Sequence, residues 1–241
     1  MSDYTLHLGD CVPLMKAMAD EFIDCVLVDP PYGIDYQSAR RTDKSQWKPK
    51  IANDKEPFLD WLPDAFRVTK AGGALVCFYR WDVEKEFKEA IEAAGFTLKS
   101  QIIWDKVVHG MGDLNGAFAP RHENMLFATK GNFSFWSYRP QDVIRCQRVH
   151  AEQLVHPNEK PISLLAQLIE PIVPRGGTVL DCCMGSGTTI VAAIQLGRKA
   201  IGIEIDATHF QTAKSNIEQA ALQPRLFTDE PKPQPVQEEL L

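Results

Sequence analysis

Residues 178–205, TVLDCCMGSGTTIVAAIQLGRKAIGIEI, read as one strand–helix–strand unit. An apolar run closes on Asp181, a turn holding Gly185 and Gly187 opens a helix, and a second apolar run closes on Glu204. Glycines in such a turn let the backbone approach a ligand where a side chain would otherwise stand. A carboxylate at the tip of the neighbouring strand suits two ribose hydroxyls, so the layout is that of a nucleoside-cofactor site. No lysine follows Gly187, which argues against a P-loop. The alternative is a tight strand-to-helix turn with no ligand.

Outward from this unit the same alternation covers most of the 241 residues. Strands are expected at 5–10, 23–29, 74–79, 98–104, 124–129, 178–183 and 200–205. Helices are expected at VPLMKAMADE, FLDWLPDAFRVTK (closed by AGG), VEKEFKEAIEAAG, PISLLAQLIEPIV, TTIVAAIQLG and THFQTAKSNIEQAALQ. Alternating strands and helices imply an α/β fold, an open sheet covered on both faces. The run 23–29 is apolar on both faces, as a central parallel strand must be. Residues 1–223 form the expected domain, and 224–241, rich in proline and acid, read as a disordered tail.

A net charge of −6 with 44% hydrophobic residues fits a soluble globular protein. There is neither a membrane-length apolar run nor a signal-peptide pattern, so a cytoplasmic location is expected. Six cysteines without a C-x-x-C pair read as reduced core thiols, and no metal is expected. The acidic mean hides two basic stretches. SARRTDKSQWKPK (38–50) holds Arg40, Arg41, Lys44, Lys48 and Lys50, and YRPQDVIRCQRVH (138–150) holds Arg139, Arg145 and Arg148. Each is either a solvated loop or a phosphate-contacting patch.

The central strand ends in Asp29-Pro30-Pro31-Tyr32. Two prolines stop a strand, because neither donates an N–H and both fix φ. They also form a rigid corner that aims acceptors at a ligand.

With the glycine turn, this corner resembles the S-adenosylmethionine-dependent DNA amino-methyltransferases in their β-class arrangement, where the catalytic motif comes first and the cofactor motif late. LHLGDC, RVTKAGGALVCF, IIWDK, RHENMLFATKG and HPNEKPISLLAQLIE resemble further family segments. The resemblance implies a circularly permuted Rossmann-like fold, a mixed seven-stranded sheet with one late antiparallel strand. It implies S-adenosylmethionine as cofactor, with Asp10 and Cys11 near its adenine and Glu204 at its ribose. Asp181, Cys183, Gly185, Ser186, Gly187 and Thr188 would lie along the turn, and Asp29, Lys160 and Pro161 on the methionine side. One departure stands out: the family usually has Asp-Pro-Phe where this chain has Asp181-Cys182-Cys183, which is expected to alter the turn's rigidity and packing.

An exocyclic amine is a poor nucleophile, its lone pair delocalised into the ring. A carboxylate and a backbone carbonyl gripping its two N–H groups favour the tetrahedral state that attacks a methyl sulfonium. Hence Asp29, Pro30, Pro31 and Tyr32 are the expected catalytic group, with Tyr32 as a stacking face for a flipped base. Asp at the first position resembles the N6-adenine enzymes more than the N4-cytosine ones. DNA contact is expected from the basic residues named above and Arg121. His122-Glu123 orders the target loop or is structural. Tyr36 either closes over the flipped base or sits in an ordinary loop, and Trp47, Trp61, Trp81 and Trp104 read as core or loop anchors. Residues 130–156 leave room for a short target-recognition segment.

The resemblance further implies double-stranded DNA as partner, a homodimer and a companion restriction endonuclease. Gln223-Pro224-Arg225-Leu226-Phe227 resembles a bacterial sliding-clamp peptide. The rival readings are an N4-cytosine enzyme, an RNA or protein amino-methyltransferase, a nicotinamide-dependent oxidoreductase and a non-catalytic DNA-binding protein.

Overall fold

The computed structural model describes residues 3–33, 56–110, 115–148 and 159–222. Its strands are β1 (Tyr4–Leu8), β2 (Ile23–Val28), β3 (Thr69–Tyr79), β4 (Thr97–Asp105), β5 (His122–Thr129), β6 (Val143–Arg145), β7 (Thr178–Asp181) and β8 (Lys199–Glu204). Its α-helices are α1 (Cys11–Lys16), α2 (Leu62–Val68), α3 (Glu84–Ala93), α4 (Ile162–Ile172), α5 (Thr188–Gln195) and α6 (Ala207–Ala221).

One sheet runs in the order β1-β8-β7-β2-β3-β5-β4-β6. All neighbours are parallel except at β5, which is antiparallel to both β3 and β4. Among the described residues the sheet thus has eight strands rather than seven, and its antiparallel strand falls at mid-chain rather than late. The extra strand, β6, is three residues inside the second basic stretch, with only Ile144 buried. So short a run carries no apolar period to read.

The two-faced character of β2 is literal. Cys25 and Leu27 enter one core with Leu164 and Leu168 of α4, Ile190 of α5 and Ile217 of α6. Ile23, Val26 and Val28 enter the other with Met15 of α1, Leu62 of α2 and Phe87 and Ile91 of α3. Successive strand residues point to opposite faces, so a central strand needs an apolar residue at nearly every position. The AGG stretch does not close α2 but lies inside β3. Gly72, at φ 80°, donates to Lys130 O at 2.7 Å, and the strand begins at Thr69 directly after the helix.

β2 and β7 run parallel, but the order in which strands are added changes side between them. From β2 the chain proceeds to β3 on one side, and from β7 to β8 on the other. A crevice at the carboxyl ends of such strands is where open α/β sheets bind ligands. Asp29 and Asp181 follow or end the two strands at that point.

Candidate active site

Beyond β2 the corner is rigid and internally bonded. Pro30 is buried, Pro31 O accepts from Phe58 N at 3.1 Å, and Tyr32 pairs with Pro57 in an isolated bridge. The Tyr32 hydroxyl donates to Asp29 Oδ1, and its ring meets Phe87 edge-on at 6.4 Å. Burial first, then the Asp29 charge, pushes the Tyr32 phenol well above its usual range, so it stays a donor. Lys160 Nζ reaches Asp29 Oδ2 at 2.6 Å and Glu123 Oε2 at 3.0 Å, above the Phe78 ring.

Burial alone would depress the Lys160 ammonium. The charges of Asp29 and Glu123 outweigh it, and the pKa is raised. Burial opposes ionisation of Glu123 as well, yet Lys160 and Lys106 hold its carboxyl down at about 2. Lys160, expected beside the cofactor's methionine, is thus placed against the corner carboxylate. Pro161 precedes α4 as its N-cap.

Across the switch point lies the glycine turn. Gly185 and Gly187 have φ of 52° and 82°, a region that favours glycine. A Cβ on Gly187 would meet Ile217 Cδ1 at 2.9 Å and Ala213 Cβ at 3.1 Å, so the turn is also pinned by α6. Ser186 and Thr188 are buried, and Ser186 O accepts from Asn216 Nδ2 at 3.0 Å. Glu204 caps the tip of β8 and braces the turn: Oε2 accepts from Gly185 N at 2.9 Å and Oε1 from Asp206 N at 2.8 Å. Each oxygen keeps a second lone pair.

Asp181 is 4% exposed and accepts from Cys183 N at 3.1 Å. Burial raises its carboxyl to about 7, with the Asp29 and Glu204 charges adding to the effect. Asp10 caps α1 by accepting from Val12 N at 2.9 Å, and Gly9 N donates to Glu204 O at 2.8 Å, which ties this loop to the tip of β8.

The structure gathers what the sequence scattered. The sulfurs of Cys11, Cys182 and Cys183 all lie within 4.8 Å of one another. Hydrogen bonds from Cys182 and Cys183 hold the Cys11 thiol down at about 5, against the effect of burial. Spacing along the chain gives no hint of this cluster. The signal was the replacement of Pro-Phe by Cys-Cys together with the Gly-Asp-Cys of the first loop.

The basic residues divide. Arg40, Arg41, Lys44, Lys48 and Lys50, with Tyr36 and Trp47, lie outside the described residues, as does the clamp-like peptide from Gln223. Arg121 forks onto Asp105 with two bonds of 2.7 Å. Arg145 is exposed and sits in register with Asp105, beside the tips of β4 and β5. That edge is also the carboxyl edge of β2. Arg148 follows three residues later and is exposed. Arg139 precedes β6 at its other end, where Trp136 N donates to Pro171 O near the end of α4. Among the anchors, Trp61 and Trp104 are core, whereas Trp81 is 72% exposed.

The model of a DNA methylase family of the N6/N4 class matches residues 23–215. YubD of Escherichia coli (strain K12) is 33% identical over 202 residues, 82% of each chain. The type II methyltransferase M.HpaI of Haemophilus parainfluenzae is 25% identical over 240 residues, 90% of this chain and 74% of that one. In fold, the chain resembles M1.HpyAVI in its SAM complex, with a TM-score of 0.69 at 23% identity over 89% of this chain and 98% of that one. It also resembles the cytosine-N4-specific PvuII DNA methyltransferase, with a TM-score of 0.70 at 14% identity over 95% and 89%. A strand-end carboxylate facing a glycine turn across the switch point, on a chain matched over most of its length, makes this protein a member of the N6/N4 DNA amino-methyltransferase family.

Proposed function

We propose that the chain transfers the methyl group of S-adenosylmethionine to N6 of an adenine flipped out of double-stranded DNA. The observation that carries this reading is the placement of Asp29 at the tip of β2, fixed by Tyr32 and Lys160, opposite the glycine turn.

The residues present fit the cofactor. Asp29, Asp181 and Glu204 lie close enough for the first and last to raise the Asp181 carboxyl, so a cationic sulfonium is welcome among them. Glu204 retains lone pairs for ribose hydroxyls, and the positive-φ glycines leave the backbone open. When bound, S-adenosylmethionine supplies an electrophilic methyl group.

The chain's own part is to hold the amine. One N–H donates to Asp29 and the other to the Pro30 carbonyl, since the Pro31 carbonyl is engaged by Phe58. Lys160 and Tyr32 keep the Asp29 carboxylate oriented, and the edge-packed Tyr32 ring presents a face to the base. Orientation of this kind supplies much of the acceleration. The proton shed by the methylated nitrogen passes to Asp29 and out to solvent.

Arg145 and Arg148 contact phosphate beside the cleft, and the segment 130–156 reads the target. A segment of that size supports a short or relaxed site, with a second copy of the chain contributing as a homodimer. A companion endonuclease and a cytoplasmic location belong to the same reading.

Radiolabelled methyl transfer to defined duplexes tests it. Label is expected on adenine-containing duplexes and is lost in Asp29→Ala. Label confined to duplexes whose only amino bases are cytosine and guanine would turn the assignment to N4-cytosine.

A further inference from the structure

Cys11 and Cys183 adjoin the expected cofactor loops, but no thiol of the three-sulfur cluster takes part in the methyl-transfer step itself. Cys11 opens α1, directly after the loop that ties β1 to β8, and Cys182 and Cys183 follow β7. Cys11 and Cys182 are 5% and 2% exposed and belong to the core beneath α1–α3, whereas Cys183 is only partly buried. All three are free thiols with their sulfurs within 4.8 Å of one another.

We propose that Cys11, Cys182 and Cys183 form a binding site for one thiophilic d10 cation of the Zn2+ or Cu+ class.

The geometry needs little adjustment. Metal–sulfur bonds of about 2.3 Å place ligand sulfurs about 3.8–4.0 Å apart in tetrahedral or trigonal sites. Three sulfurs already confined to 4.8 Å reach that spacing by closing up by at most about 1 Å per pair, within reach of small side-chain torsions. The donor set is sulfur only, and such sets select Cu+ and Zn2+ over Mg2+, Ca2+ or Mn2+. The partly buried Cys183 provides the entry side and a fourth position for water or a small exogenous ligand. Each thiol that bonds the ion gives its proton to the buffer, and no electron is transferred, so binding strengthens as pH rises.

The sequence supports the same site. Pro and Phe, the usual family pair at positions 182 and 183, have no ligand atoms; here both are replaced by cysteine beside a loop that already carries one. A single thiol in a core is an ordinary small hydrophobe. A vicinal pair brought onto a third from the other end of the chain is a preformed donor set.

The full chain, reduced with a non-thiol phosphine, is titrated with Cd2+ as a spectroscopic probe and then with Zn2+. The expected result is a thiolate-to-metal charge-transfer absorption that saturates at one Cd2+ per chain, with proton release, and that declines only when Zn2+ is added in large excess. Cys183→Ser, at the partly exposed position, is expected to weaken binding about 100-fold or more through loss of one of three bonds. Cys146→Ser, whose sulfur lies beside Ser163 on the other face of the sheet, is expected to bind as the unaltered protein does. Thermal melts confirm that both variants are folded. Absence of the absorption, or Cd2+ binding of equal strength in Cys183→Ser, overturns the site. The titration contains neither DNA nor S-adenosylmethionine, so its failure is separate from any failure of the methyl-transfer reading.

Discussion

Lys160 Nζ bridges Asp29 and Glu123, at 2.6 Å from one carboxylate and 3.0 Å from the other. An ammonium in that position sets the rotamer of Asp29 and neutralises a second carboxylate that faces the same cleft. Removing it by Lys160→Met leaves two acids facing each other. Single-turnover rates are expected to fall about 100-fold, because the amine-gripping carboxylate loses its orientation. Urea unfolding should report a loss of about 3 kcal/mol, since breaking one member of a buried ion pair strands its partners. An unchanged rate would remove Lys160 from the positioning role.

Tyr32 makes two separable contributions. Tyr32→Phe keeps the ring against Phe87 and deletes the hydroxyl that donates to Asp29. A fall of about tenfold in turnover is expected, the size of one lost hydrogen bond to a charged group. Tyr32→Ala also deletes the stacking face, so DNA affinity should drop with it. The split between turnover and DNA affinity in the two variants is the measurement that checks this.

Glu123 sets a pH signature. Its carboxyl titrates at about 2 in the fold and near 4.3 when unfolded. A depressed acid contributes stability that is fully present above the unfolded value and is lost as pH falls toward the folded one. The stability of the unaltered protein over Glu123→Gln is therefore expected to rise between about pH 2 and pH 4.5 and level off above that. Its side chain is 30% exposed, so solvent screening cuts the amplitude to about 1–2 kcal/mol. Denaturant melts across this range provide the test.

Gly187 joins turn geometry to helix packing. Gly187→Ala puts a side chain into positive φ and against Ile217 and Ala213. A destabilisation of about 1–3 kcal/mol is expected, read as a shifted denaturant midpoint at constant slope.

Arg145, at the carboxyl end of the edge strand β6, and Arg148 are exposed, whereas Arg121 is already forked onto Asp105. Replacing the first two by alanine should reduce the slope of log affinity against log salt by about 0.9 for each phosphate left unneutralised. Arg121→Ala should change it less. Binding titrations on one duplex at several salt concentrations decide between these outcomes.

What the sequence revealed, it revealed through words whose backbone consequences are local. Asp29-Pro30-Pro31-Tyr32 and Gly185-Ser186-Gly187 fix their own conformations, and β2 announces its central position by being apolar at every position but Asp24. The Glu123–Lys160 link was hidden because its partners lie on β5 and just ahead of α4, with no periodicity between them. Arg139 and Arg145 look equivalent in a basic stretch, yet Arg145 ends a three-residue strand in register with Asp105 and Arg139 lies outside it. The thiol cluster was hidden for the same reason as the ion pair: spacing rules look along the chain, and the topology folds β7 onto its beginning.

That topology also dictates when the protein can assemble. Asp24 Oδ2, near the start of β2, accepts from Thr178 N at the start of β7, 154 residues further on. β1 finds its partner only in β8, later still. A ribosome thus releases the corner long before the strand that must lie beside it, and one edge of a largely apolar strand waits open until then. Pairings this remote close slowly and leave sticky intermediates. Pairing of Ile23–Val28 with β7 therefore waits until residues 178–181 have been made, and until then the strand that leads into Asp29-Pro30 keeps that edge unpaired.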